Sequence, residues 1–158
     1  MKKYIWGILR IAMGWTFLWA FIDKLWGLGF TTTAEQSWLA GGSPTMGFLK
    51  FATKGPFAEI FQSMAGSELV DWLFMLGLLF IGLAFIFGIC MRLASWAGVI
   101  MLVLMYLAGF MPPEHNPFLD DHLINALLII ALVASGSGSQ LGFGNQWSRF
   151  VAKCPILK

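Results

Sequence analysis

Charged residues are scarce: Asp, Glu, Lys and Arg make up 11% of the 158 residues, against roughly 25% in a water-soluble domain. So few charges cannot dress a surface for water, which excludes an ordinary soluble globule. Cysteine is scarcer still. Cys90 and Cys154 form no Cys-x-x-Cys pair and both fall on the side assigned below to the cytoplasm, so they read as small packing residues rather than a disulfide. Only two histidines occur, His115 and His122. Pro117 separates them, whereas a buried bis-histidine haem needs ligands from facing helices, so neither haem nor a metal centre is expected. A nucleophile with its base, a flavin or nicotinamide fingerprint and an iron–sulfur spacing are all missing, so any electron transfer must use a borrowed cofactor. The net charge of +2 rests on singly scattered basic residues; nucleic acid is thereby excluded as a partner.

What the chain does have is apolar surface: 58% hydrophobic residues, 16% aromatics and eight Trp, with a mean hydropathy of +0.76. Lipid is the solvent this composition fits, and indole rings favour the headgroup boundary. Four apolar runs stand out, at about 4–29, 69–91, 93–111 and 117–134. Each is near the roughly 20 residues that cross a hydrocarbon core about 30 Å thick. The expected fold is all-α: a single membrane domain, 1–158, built as a four-helix bundle in the plasma membrane. The first run follows Lys2-Lys3 as a secretory signal would, but it is too long for a signal core and lacks an Ala-x-Ala site, so it reads as a retained span.

Four spans put both termini on one side. That side holds Lys2, Lys3, Arg92, Arg149, Lys153 and Lys158, and is cytoplasmic by the positive-inside tendency. Asp23, Glu35, Glu59, Glu68, Asp71, Glu114, Asp120 and Asp121 then all fall at or beyond the outer ends of the spans. In the outer loop, 30–67, Phe57, Ile60, Phe61 and Met64 repeat at helical spacing after Gly55-Pro56. A shorter stripe of Phe48, Leu49 and Ala52 follows Gly41-Gly42-Ser43-Pro44; both predict short interfacial helices. Gly77, Gly82, Ala84 and Gly88, with Ala94, Ala97 and Gly98, suit close helix approach, and the short link at 90–92 predicts an antiparallel hairpin. "SGSGSQLGFGN", 135–145, lacks both a preceding strand and a Lys-Ser/Thr for phosphate, so it reads as a helix stop and a flexible or re-entrant turn.

The fourth run, "NPFLDDHLINALLIIAL", carries the polar residues that need explaining. Asn116 is the expected N-cap with Pro117 as first helical residue, and the helix dipole accounts for Asp120 and Asp121. It does not account for His122 and Asn125, three apart on one face, since an amide at that depth turns to the bundle interior. Asp23, Lys24, Glu68 and Asp71 come to a similar level, so with His122 they could form one connected outer cluster, either a structural ion-pair network or a proton-coupled site. A hydroquinone losing electrons must release protons to such acceptors. Arg10 lies inside the first span with no acid at its level. Its side chain snorkels to lipid phosphate or helix-end carbonyls, or it holds an anionic headgroup or a quinone carbonyl.

"LRIAMGWTFLWAFIDKL", "GGSPTMGFL", "DWLFMLGLLFIGLAFIFGICMRLAS" and "NPFLDDHLINALLIIAL" together resemble the DoxX/DoxD family of small four-helix membrane proteins. The resemblance implies the membrane subunit of a thiosulfate:quinone oxidoreductase, working with a DoxA-like redox partner, in which thiosulfate goes to tetrathionate and electrons pass to quinone. It draws attention to Arg10, Asp23, Lys24, Asp71, Arg92, Asn116, Pro117, Asp120, His122 and the Gly41–Pro44 turn. On this reading His122, Asp120, Asp121, Asp23 and Asp71 handle protons. Asn125, Arg10 and Lys24 contact a bound quinone, and Trp15, Trp19 and Trp72 wall its ring. Besides lipid and a redox subunit, the chain could pair with a second copy. The competing reading is a non-catalytic scaffold that assembles another membrane complex; a small transporter is a third, without the broken helices or repeats transporters often show.

Overall fold

The computed structural model describes residues 4–109, 113 and 117–152, all of it helices, turns and connections, with no strand among the described residues. The first helix, α1, runs Ile5–Trp26 and stops where Gly27 turns left-handed at φ 68° and returns its N–H to the Asp23 carbonyl. That is the stop that glycine, lacking a Cβ, supplies most cheaply. The connection that follows is not featureless. Tight turns cover Ala34–Gln36 and Trp38–Ala40, a π-type turn covers Phe48–Ala52, and α2 covers Ala58–Ser63. Two of these are the short helices expected from the Phe48 and Phe57 stripes, and Ile60 on α2 is left exposed.

Two long helices come next, α3 at Glu68–Phe87 and α4 at Met91–Gly109. Gly88 ends α3 with φ 71°, and the chain turns through Ile89 and Cys90, so Arg92 lies in the first turn of α4 rather than in the link. Cys90 takes φ 49° there, a conformation that costs a side-chain-bearing residue about 1 kcal/mol or more. Cys90→Gly is therefore expected to raise the thermal midpoint in micelles by an amount equivalent to about 1 kcal/mol; an unchanged or lower midpoint would count against strain at this position.

The fourth apolar run needs correcting. Its helix, α5, is Asp121–Ala134, and its N-cap is Asp120, whose carboxylate accepts the Leu123 N–H at 3.0 Å. Pro117 stands outside it, and Asn116 lies outside the described residues. A carboxylate three residues ahead of the amide it caps, and favoured by the helix dipole, fixes the start later than Asn-Pro would. At 14 residues, α5 is about 21 Å long. Three helices, α1, α3 and α4, are long and apolar enough to cross a membrane. A last short helix, α6, covers Gly144–Phe150.

Helix α1 packs along α3, α3 along α4, and α4 along α5. The core consists of Met13, Phe17, Met75, Ile81, Phe85, Ala94, Leu102, Ile129 and Leu132 among others. Closest of all is the α1–α3 crossing. A Cβ on Gly14 would lie 2.9 Å from the Gly82 carbonyl oxygen, and one on Gly82 would lie 2.8 Å from the Leu18 backbone nitrogen. The two backbones touch with nothing between them. Away from the core the exposed residues are apolar as well: Ile8 and Trp15 on α1, Leu69, Leu73 and Leu76 on α3, Trp96, Ile100 and Leu104 on α4, Ile124, Leu127 and Ile130 on α5. So much apolar area turned outward on every long helix is the pattern of a surface bathed in lipid. Because neighbouring helices run antiparallel, the C-terminal end of α1 and the N-terminal ends of α3 and α5 share one end of the molecule. The described acids gather there.

Candidate functional site

At the opposite end, Arg10 is wholly buried. Its Nε–H donates to the Ser137 carbonyl at 3.1 Å, and its two terminal nitrogens donate to the carbonyls of Phe85, Ile86 (2.9 Å), Gln140 (2.9 Å) and Leu141 (3.0 Å). A guanidinium has five N–H donors, and all five are used. No donor is left for a headgroup or a quinone carbonyl, so of the two fates expected for Arg10 it takes the helix-end carbonyls. The acceptors are backbone groups that a helix end leaves open. At the end of α3, Ala84 O accepts from Gly88 and Ile89, Phe85 O and Ile86 O accept from Arg10, and Phe87 O accepts from Phe143 N–H.

The Gly-rich segment after α5 forms the other half of this arrangement. A Cβ on Gly142 would lie 2.8 Å from the Arg10 Nη2, one on Gly138 would lie 2.9 Å from the Gly88 carbonyl oxygen, and one on Gly7 would lie 2.7 Å from the Gln140 carbonyl oxygen. The segment is thus a close-packed cradle. It presents carbonyl oxygens to a cation, where a phosphate loop presents N–H groups to an anion.

The acid-rich end divides into three separate arrangements. Asp23, 1% exposed, accepts the Phe30 N–H on Oδ1 (3.2 Å) and both the Thr31 N–H (2.8 Å) and its hydroxyl (2.6 Å) on Oδ2. It fastens the chain leaving α1, with Lys24 beside it in electrostatic reach. Asp71, 6% exposed, takes three donors on one oxygen: Ser43 Oγ (2.9 Å), Thr45 N–H (3.1 Å) and Thr45 Oγ1 (2.6 Å) all reach Oδ1. The Gly41–Pro44 turn and Asp71, each conspicuous in the sequence, are therefore two halves of one fastening. The third arrangement is His122, whose Nδ1 lies 2.7 Å from Asp120 Oδ2. No hydrogen bond or ion pair joins Asp23, Asp71 and His122 to one another, so a single connected cluster is not formed. Each acid finds its partners locally instead.

His122 and Asn125 share a stripe with Ala126, Ile129 and Leu132, the buried residues of α5, at the i, i+3, i+4, i+7 spacing of one helix face. Both are half-buried, and Asp121 is exposed. The contact between His122 Nδ1 and Asp120 Oδ2 fixes the orientation of the ring on this face. The tryptophans do not enclose an interior ring site. Trp15 is 51% exposed on the outer face of α1; Trp19 leans on it at 5.6 Å and meets Phe30 edge-on. Trp72 lies at the acid-rich end, edge-on to Trp38 at 4.6 Å.

Two clefts remain. One, of about 390 Å³, is apolar and follows α4 and α5 past Trp96, Val99, Ile130 and Val133, beginning near Arg92. Ile130 lies about 12 Å along the helix from His122. The other, of about 460 Å³, opens at the acid-rich end between Trp38, Ser43, Glu68, Asp71 and Trp72. Trp38, Thr31 and Thr45 escaped the sequence reading; a tryptophan and hydroxyls in a polar loop beside Gly-Gly were the available sign. Among the described residues no three His, Cys, Asp or Glu are grouped to hold a metal. His115 and Glu114 lie outside them. Burial pushes the Cys90 thiol above its ordinary value, which keeps it protonated and unreactive at neutral pH.

No known family model, curated protein or solved structure matches this chain.

Proposed function

We propose that the chain is a DoxX/DoxD-like membrane subunit of a quinone-linked oxidoreductase, of the thiosulfate:quinone type. In this reading α5 joins the three longer helices in a plasma-membrane bundle with cytoplasmic termini, and the acid-rich end lies outside. The observation that carries it is the His122–Asp120 pair with Asn125 one turn deeper on the same buried stripe. A quinone and its hydroquinone differ by two electrons and two protons. His122 Nε2, braced by Asp120 at Nδ1, exchanges a proton with the ring oxygen, and the Asn125 amide donates to a ring carbonyl. The apolar α4–α5 groove suits a prenyl tail. Asp23, Asp71 and Arg10 keep the scaffold in shape. Electrons enter and leave through a partner subunit.

The protein purified in micelles is expected to bind a short-chain quinone, and His122→Ala to weaken that binding about tenfold, the ~1.4 kcal/mol of one hydrogen bond. Unaltered affinity in His122→Ala would remove the site. A second reading, a non-catalytic scaffold, is favoured by the use of Asp23, Arg10 and one oxygen of Asp71 as fasteners. Failure to bind quinone, together with a stoichiometric membrane partner recovered in mild detergent, would favour it.

A further inference from the structure

The cleft at the acid-rich end has a chemistry of its own. Asp71 lines it and is 94% buried by complement of its 6% exposure. Its Oδ1 is saturated by Ser43 and Thr45, while its Oδ2 takes no hydrogen bond from any described residue, and no Lys or Arg among them pairs with the carboxylate. That oxygen is not among the buried unpartnered atoms, so it opens to the cleft and can accept from a donor that a ligand carries. Glu68, exposed one turn away on α3, adds a second negative charge at the mouth. The walls are indole: Trp38 and Trp72, edge-on at 4.6 Å, both line the cleft, with Met46 beside them. Gly41 and Gly42 leave the floor to backbone.

From this arrangement we infer that the cleft binds a primary alkylammonium group, R–NH3+. The cation meets the indole faces by cation–π attraction, one N–H donates to Asp71 Oδ2, and Glu68 supplies long-range attraction. A divalent metal fits poorly, because it requires about six oxygen ligands and the only carboxylates lining the cleft are Asp71 and Glu68. A quaternary ammonium satisfies the aromatic walls but has no N–H for Oδ2. The group can come from an aminophospholipid headgroup at the membrane surface or from a soluble amine. This assignment stands apart from the quinone reading, sharing neither His122 nor Asn125 with it.

The test is calorimetric titration of the full chain in phosphatidylcholine nanodiscs with n-butylammonium, and with tetramethylammonium for comparison. Butylammonium is expected to bind with a dissociation constant near or below about 1 mM, and tetramethylammonium about tenfold more weakly. Asp71→Asn is expected to weaken butylammonium about tenfold, and Glu68→Gln about threefold. Glu68 is exposed and makes no described hydrogen bond, so its variant reports on binding even if Asp71→Asn disturbs the Ser43–Thr45 turn. Nanodiscs containing phosphatidylethanolamine separate the sources. Competition there, with that lipid retained on purification, assigns a headgroup; equal affinity in both discs assigns a soluble amine. Absence of butylammonium binding up to about 50 mM, or unchanged affinity in both variants, overturns the proposal.

Discussion

Arg10→Met is expected to leave no folded protein in mild detergent: a monodisperse species gives way to aggregate on size-exclusion chromatography, and the cooperative melt by circular dichroism disappears. The argument is a count of hydrogen bonds. Five N–H donors of one buried cation are matched to five carbonyls, three of them in 137–141 and two at the end of α3. A hydrogen bond to a charged group contributes about 1.5–3 kcal/mol, and a buried acceptor left bare costs about 1–3 kcal/mol. Even if water reaches half of the carbonyls, the loss exceeds about 5 kcal/mol, the scale of a whole domain's stability. Arg10→Lys keeps the charge but has three N–H groups on a single nitrogen, which cannot span carbonyls from two segments. It is expected to fold with a melting midpoint depressed by the equivalent of about 3 kcal/mol. A melt of Arg10→Met within a few degrees of the parent would show that the carbonyls find other donors.

The second large effect is expected at Gly82. Gly82→Val places a branched side chain where a Cβ alone would already sit 2.8 Å from the Leu18 nitrogen and 2.9 Å from its Cβ. Backbone cannot move aside as a flexible side chain can, so α1 and α3 must separate along their length and the core of Met13, Phe17, Ile81 and Phe85 opens with them. Overpacking of this kind costs about 1–3 kcal/mol in a yielding core, and here it is expected at or above the upper end. Two controls make the comparison decisive. Gly77→Ala meets only the Met101 methyl and should cost less, about 1 kcal/mol. Gly47→Ala meets nothing within 4 Å and has an ordinary φ of −58°, so it should stay within about 0.5 kcal/mol of the parent. Equal melts for Gly82→Val and Gly47→Ala would remove backbone contact as the basis of α1–α3 packing.

Much of the long-helix pattern was readable from hydropathy. The apolar run at 4–29 contains α1, those at 69–91 and 93–111 overlap α3 and α4 but start one and two residues late, and the residues that end α1 and α3, Gly27 and Gly88, are of the type that adopts a left-handed turn. Elsewhere two signals competed. Asn116-Pro117 and Asp120 both suggest a helix start, and the nearer carboxylate prevails because it reaches the Leu123 amide directly. Partnerships were harder to read. The sequence offered no acid at the level of Arg10, and that was correct, but the partners are carbonyls, which every residue carries and which therefore leave no mark on composition. They lie 75 to 131 residues away in the chain. Asp23 and Asp71 were visible as acids near span ends, yet their choice of Thr31, Ser43 and Thr45 depends on loop conformations that no periodicity encodes. Gly14, whose contact with α3 is as close as that of Gly82, looked like any other small residue in an apolar run.

The distance along the chain between Arg10 and its last acceptors has a consequence for biosynthesis. Ser137 to Leu141 follow Arg10 by 127 to 131 residues. At a translation rate of about 5–20 residues per second, the guanidinium waits roughly 6–26 s after its own incorporation before the ribosome has made the last of the groups that neutralise its hydrogen-bonding demand. Until then the guanidinium has at most the two α3 carbonyls of Phe85 and Ile86, and three of its donors wait. It follows that the pocket of carbonyls around Arg10 closes only after α3, α4 and α5 have all been made.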